Sequence, residues 1–147
     1  MPSIQGRESR SALSSRIPVD DWGLSPFRAA VESKDVERVI ETLAPDIVFR
    51  SPAVFSPYSG RETVATLLRA VDMVLAPNLL YQWQVQEDDR EVLCFTSRVG
   101  KREIEGVDIL RYDDAGQVAE LVVMMRPLSG LRTVSDGVGA QLEAARS

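Results

Sequence analysis

A chain of 147 residues, 44 % hydrophobic and 27 % charged, has the proportions of one globular domain and excludes a disordered polypeptide. A net charge of −5 argues against nucleic acid as a partner, because that affinity needs clustered Lys and Arg to displace counterions. With no histidine and the single Cys94, the chain forms no internal disulfide and builds no His-bearing zinc or iron centre, so neither metal nor cofactor is expected.

Residues 1–17 read as a flexible N-terminal tail, with Arg7, Arg10 and Arg16 set among Ser9, Ser11, Ser14 and Ser15 and little to bury. They lack the apolar stretch of a secretory signal, and no later apolar run is long enough to span a bilayer. A cytoplasmic location without membrane contact is the expectation. The domain itself is expected over residues 18–128, with Trp22 packing near its start as a lid.

Ser25-Pro26 gives an N-cap followed by proline at the first helical position, and Phe27, Ala30 and Val31 mark the buried stripe of that helix. Asp35 caps a second helix, in which Val36, Val39, Ile40 and Leu43 recur at helical spacing until Pro45 stops it. Residues 46–50 read as a short strand. The turn-rich segment 51–60 holds Pro52, Phe55, Pro57 and Tyr58, unusually apolar for a loop, and is expected to wall a cavity. A third helix over 61–75 lines up Val64, Leu67, Leu68, Val71 and Leu75 ahead of Pro77.

Period-two patterning predicts a strand over 80–86, with Tyr81, Trp83 and Val85 against Gln82, Gln84 and Gln86. The turn Asp88-Asp89, a strand over 91–99 and the turn Gly100-Lys101 follow. Strands over 104–112 and 117–125, joined by Asp113-Asp114-Ala115-Gly116, complete a four-strand antiparallel meander. Residues 129–147 form a C-terminal tail whose helix, carried by Leu131, Val134, Val138 and Leu142, is weakened by Gly137 and Gly139. The fold class is α+β.

The order of Lys34-Asp35-Val36, Leu43-Ala44-Pro45-Asp46, Gly60-Arg61-Glu62 and Gly106-Val107-Asp108-Ile109-Leu110-Arg111-Tyr112-Asp113 resembles the nuclear transport factor 2-like superfamily, particularly its SnoaL-like branch. The resemblance covers roughly residues 25–127. It implies a cone-shaped α+β barrel, a curved and mostly antiparallel sheet wrapped around three N-terminal helices, with an apolar pocket and often a second copy on the outer sheet face.

The family's ketosteroid isomerases use a Tyr on the first helix, a general-base Asp before a Pro, and a protonated Asp that donates to the substrate oxyanion. The resemblance puts Phe27, Ser51 and Glu105 at those positions, and only Glu105 keeps a carboxyl. Relatives resembling limonene epoxide hydrolase hold water with two Asp and an Arg; Arg98 matches the Arg, while Gly100 and Val123 stand at the Asp positions. Polyketide cyclases and scytalone-type dehydratases need a His that this chain lacks.

By the same resemblance Glu105, Val107 and Ile109 face inward, making Glu105 the candidate acid or base, or else a buried partner of Arg98. The pattern of its own strand points Arg98 outward, and the resemblance points it inward. Phe27, Ser51, Phe55, Tyr58, Trp83, Arg98, Val107, Val123 and Met125 are the expected ligand-binding residues. Asp108, Leu110, Tyr112, Val122 and Met124 are expected on the outer face, covered by a homodimer partner or by the tail helix. The expected function is binding of a small apolar molecule, with isomerase, cyclase or lyase chemistry through Glu105; the alternative is a noncatalytic dimeric accessory module with a filled cavity.

Overall fold

The computed structural model of the chain describes residues 15–146, so most of the expected N-terminal tail lies outside the described residues. What is described begins as a strap. Ser15 bridges Asp88, the Arg16 guanidinium donates to Asp88 at 2.7 Å, and Ile17 is buried. Trp22 does not pack as a lid; it is 86 % exposed.

Ser25 accepts from the Arg28 amide and opens α1, Pro26–Glu32, which buries Phe27 and Ala30. Asp35 caps α2, Val36–Glu41, by accepting from the Glu37 amide at 3.1 Å. The strand after it, β1, Leu43–Arg50, starts earlier than expected and contains Pro45. Proline is tolerated because the pairing with the last strand is irregular between Leu43 and Val48, where no ladder hydrogen bond is demanded of it. A two-residue β2, Tyr58–Ser59, leads to α3, Arg61–Leu75, whose bounds match the sequence pattern.

After a single 3-10 turn, Ala76–Asn78, come β3, Leu80–Glu87; β4, Arg90–Val99; β5, Arg102–Tyr112; and β6, Val118–Arg126. The sheet order is β2-β1-β6-β5-β4-β3, antiparallel throughout except for β1 against β6. This is the expected cone-like α+β arrangement with a C-terminal helix. The sheet wraps the helices around a core built from Phe27, Leu43, Ile47, Phe49, Val64, Leu93, Leu110 and Leu121.

The tail helix, α4, spans Leu128–Arg146 and is far longer than its glycines suggest. Gly137 sits where α4 approaches α3, and a Cβ there would lie 3.3 Å from the Val74 methyls, so the small residue serves packing. A second cluster of Leu75, Ile104 and Val134 joins α4 to α3 and β5. The helix therefore lies on the concave side and does not compete with a partner for the outer sheet face.

At the end of the sheet that carries the Asp88-Asp89 turn, the fully buried Glu91 accepts three hydrogen bonds. Ser25 and Tyr112 donate to Oε1 at 2.7 and 2.6 Å, and Gln86 donates to Oε2 at 2.7 Å. The carboxylate thus locks the start of α1 to β3, β4 and β5.

Candidate functional site

A cavity of about 290 Å³ opens between the sheet and the helices. Phe27 and Val31 of α1, Leu67, Leu68, Val71 and Leu75 of α3, and Phe49, Phe95, Leu121, Val123 and Met125 of the sheet form its walls. Leu131, Val134, Val138 and Leu142 of α4 roof it, and residues 51–54 bound it on another side.

Inside this apolar lining lies one joined pair of polar side chains. Tyr81 of β3 donates its hydroxyl to Asp108 Oδ2 of β5 at 2.6 Å. The phenol is held by Phe95, whose ring meets it edge-on at 6.5 Å, and by the Arg28 guanidinium 5.5 Å from its centroid. Burial pushes the Asp108 carboxyl up to about 7, against the pull of the Tyr81 hydrogen bond and with a further push from the Glu91 charge. Burial also raises the Tyr81 phenol well above its ordinary value, and the Asp108 charge adds to the effect. Tyr81 therefore stays protonated at neutral pH, while Asp108 divides between its two forms. Asp35, Asp72, Ser51 and Tyr58 also line the cavity.

Of the expected ligand-binding residues, Phe27, Ser51, Tyr58, Val123 and Met125 do line the cavity, with Tyr58 stacked on Phe49 at 6.4 Å. The others lie elsewhere. Phe55 is fully exposed at its loop tip, and Trp83 is 50 % exposed on the outer face. Arg98 is exposed on a rim groove with Glu103 and Arg126, as its strand pattern had it. Val107 points outward with Ile109.

Glu105 requires the main correction. On β5 the buried positions are Ile104, Gly106, Asp108, Leu110 and Tyr112, so the inward face is the opposite of the expected one. Glu105 stands outside and pairs neither with the cavity nor with Arg98 but with its cross-strand neighbour Arg126, at 3.3 Å. The physical reason is the β4–β5 register, which sets Asp108 beside Leu93 and Gly106 beside Phe95, the apolar side of β4. Only glycine fits there, since a Cβ at position 106 would lie 2.5 Å from Phe95 Cζ.

A second correction concerns β3. A bulge between Tyr81 and Trp83 reverses the parity of the strand, leaving Tyr81 inside with Trp83 and Val85 outside. Gln84 and Gln86 take the inward positions because polar partners wait there: the Gly23 carbonyl, the Arg28 guanidinium and Glu91.

Among the described residues, no helix is long and apolar enough to cross a membrane. No curated protein matches the chain. A steroid delta-isomerase from Pseudomonas aeruginosa is similar in structure at 33 % identity and a TM-score of 0.78, over 88 % of this chain and 97 % of that one. An uncharacterised protein with a cystatin-like fold from Silicibacter pomeroyi follows at 26 % identity and a TM-score of 0.73, over 79 % and 82 % of the two chains. A nuclear transport factor 2-like protein of unknown function from Mesorhizobium loti shares the fold at 17 % identity and a TM-score of 0.60, over 69 % and 85 %. The sequence profile of the SnoaL-like domain matches residues 25–121, and the chain belongs to that family.

Proposed function

We propose that the cavity takes a small, neutral, largely apolar molecule oriented by one carbonyl oxygen, and that the protein isomerises it through an enol. The observation that carries this reading is the Tyr81–Asp108 pair, joined at 2.6 Å inside an apolar cavity. With one oxygen engaged by the Tyr81 hydroxyl, a protonated Asp108 has its own O–H to donate to a ligand oxygen. Breaking a C–H bond next to a carbonyl drives negative charge onto that oxygen, and a fixed donor in a dry site stabilises the charge as it develops.

Asp35, Asp72 and Asp108 line the cavity, and among the described residues no Lys or Arg does, so a carboxylate ligand is disfavoured. The volume is at the small end of ligand sites, ~300–1,000 Å³, and fits a compact ring system. The similarity to a steroid delta-isomerase supports a cyclic ketone as the ligand class. An open cavity with convergent polar groups favours this reading over that of an accessory module with a filled interior.

The test is calorimetric titration with a steroid 4-en-3-one and with a bicyclic enone at pH 6. Binding of either by the wild type, weakened at least tenfold in Asp108→Leu and retained in Asp108→Asn, is the expected result. Equal affinities for wild type and Asp108→Leu, or no binding of either enone, would refute it.

The outer face supports a second copy as partner. Two cross-strand rows run over it, Trp83, Cys94, Val107 and Met124, then Val85, Val92, Ile109 and Val122. Trp83, Val85 and Met124 are each at least half exposed, and the pairs Arg126–Glu105 and Arg90–Glu120 flank the rows with both signs of charge. Sedimentation of the wild type at a dimer mass, and of Trp83→Glu at half that mass, is the expected outcome; a wild-type monomer would overturn it. Cys94, a buried thiol inside this face, is compatible with a reducing cytoplasm.

A further inference from the structure

A cavity that orients its ligand by one oxygen leaves the length of that ligand to the wall that stands beyond the oxygen. We infer that α4 is this wall, and that it selects a ketone of two fused rings and shuts out the four-ring steroid skeleton. This inference rests on the reading above that a ligand carbonyl meets Asp108, and adds which cyclic ketone the cavity admits.

On β5 the inward residues Asp108, Gly106 and Ile104 mark successive positions along the inner face of the sheet. Asp108 holds the oxygen. The Phe95 ring lies over Gly106, where a Cβ would come within 2.5 Å of Cζ. That ring lines the cavity together with Met125, the cross-strand partner of Gly106, so the stretch beyond the carboxyl offers an aromatic, apolar surface to a fused ring.

At Ile104 the run ends. The residue is 3 % exposed, and a Cβ on Gly130 of α4 would lie 3.0 Å from its Cγ1. Val134, 4 % exposed, packs into the same cluster with Leu75. At ~3.3 Å per residue the four steps from Asp108 to Ile104 cover about 13 Å of strand, and the side chains of Ile104 and Val134 fill the far part of it. Leu131, Val138 and Leu142 continue the wall on the cavity side. Gly137 brings α4 close against Val74 of α3, which fixes the wall in place.

This wall lies outside the family-matched segment, which ends at residue 121, whereas α4 begins at Leu128. The space it leaves is about 290 Å³. A rigid four-ring skeleton cannot shorten itself to fit, and a close-packed interior yields little to an oversized guest.

The test is calorimetric titration at pH 6 with a bicyclic enone and with a steroid 4-en-3-one. Wild type is expected to bind the bicyclic enone at least ~10-fold more tightly than the steroid, the scale on which pocket contacts discriminate. Leu131 and Val138 are half-buried, and Leu131→Ala/Val138→Ala is expected to shift that ratio at least ~10-fold toward the steroid. Gly139→Leu acts in the opposite sense and decides the matter if the double variant fails to fold. Gly139 lines the cavity, a Cβ there meets nothing within 4 Å, and leucine favours the helix. It should weaken the bicyclic enone at least ~10-fold while a single-ring cyclohexenone holds within about twofold. A wild type that binds the steroid as tightly as the bicyclic enone, or ratios unmoved by these variants, overturns the assignment of α4 and leaves the ligand reading standing. Failure of the wild type to bind either enone removes the reading itself.

Discussion

Replacing Asp108 with Asn isolates the electrostatic claim on which the site depends. The folded carboxyl titrates at about 7 and the unfolded one near its ordinary 3.8. Between those values the folded state keeps a proton that the unfolded state has released, so the free energy of unfolding falls as pH rises. The slope is about 1.4 kcal/mol per pH unit and the whole step ~4 kcal/mol; above about 7 both states are ionised and the cost no longer changes. D108N carries no charge in either state, and its amide oxygen still accepts the Tyr81 hydroxyl. Urea unfolding of the two proteins at pH 4, 5, 6, 7 and 8 supplies the measurement, read as the difference between them. The raised Asp72 and the lowered Glu37, the latter held down by its Arg69 hydrogen bond, titrate alike in both and cancel. Wild type is expected to lose ~4 kcal/mol relative to D108N between the acid and neutral plateaus. Parallel stability curves across that range would show that Asp108 is not a desolvated carboxyl, and the donor role would go with it.

Glu91→Ala should destabilise the fold by about 3–5 kcal/mol in urea unfolding, because the buried hydroxyls of Ser25 and Tyr112 lose their acceptor and half-buried Gln86 keeps only the Gly23 carbonyl; a loss under ~1 kcal/mol would mean that water replaces the carboxylate. Gly106→Ala drives a methyl into the Phe95 ring and to 2.6 Å from the Met124 carbonyl, and a cost of about 1–3 kcal/mol is expected, partly relieved by adding Phe95→Leu. Relief by the second change distinguishes a side-chain clash from a backbone one. Val134→Ala removes a residue that is 4 % exposed under α4, and should cost about 2 kcal/mol and weaken enone binding through a looser roof. Unchanged affinity with reduced stability would assign α4 to the fold alone.

The helices and strands were legible because their signals are local: Ser25 and Asp35 cap, Pro77 stops, and apolar spacing sets the bounds of α3. What misled was parity. Leu93 and Phe95 stand out from sequence as the apolar side of β4, and Gly100-Lys101 as the turn that follows. A two-residue turn with Val99 opposite Arg102 forces Phe95 opposite Gly106 and Leu93 opposite Asp108. The next hairpin carries a register shift between Arg111 and Tyr112, beyond which Val123 stands opposite Asp108 and Met125 opposite Gly106. Val123 and Met125 are the cavity residues that sequence identified on β6, and cross-strand partners share a face, so an inward Glu105 is incompatible with them. The β4–β5 turn alone therefore points to Asp108 from sequence, through Leu93, and a family position carried across by residue type alone does not. Tyr81 is different in kind. Its strand alternates cleanly in sequence, and only the bulge after it separates it from Trp83 and Val85. Such a bulge leaves no mark in the apolar pattern; its trace is the pair Gln84 and Gln86, which look solvent-facing until the buried Glu91 and the Gly23 carbonyl give them partners. The polar half of the site is thus set by long-range hydrogen bonds, while its apolar half follows from local periodicity.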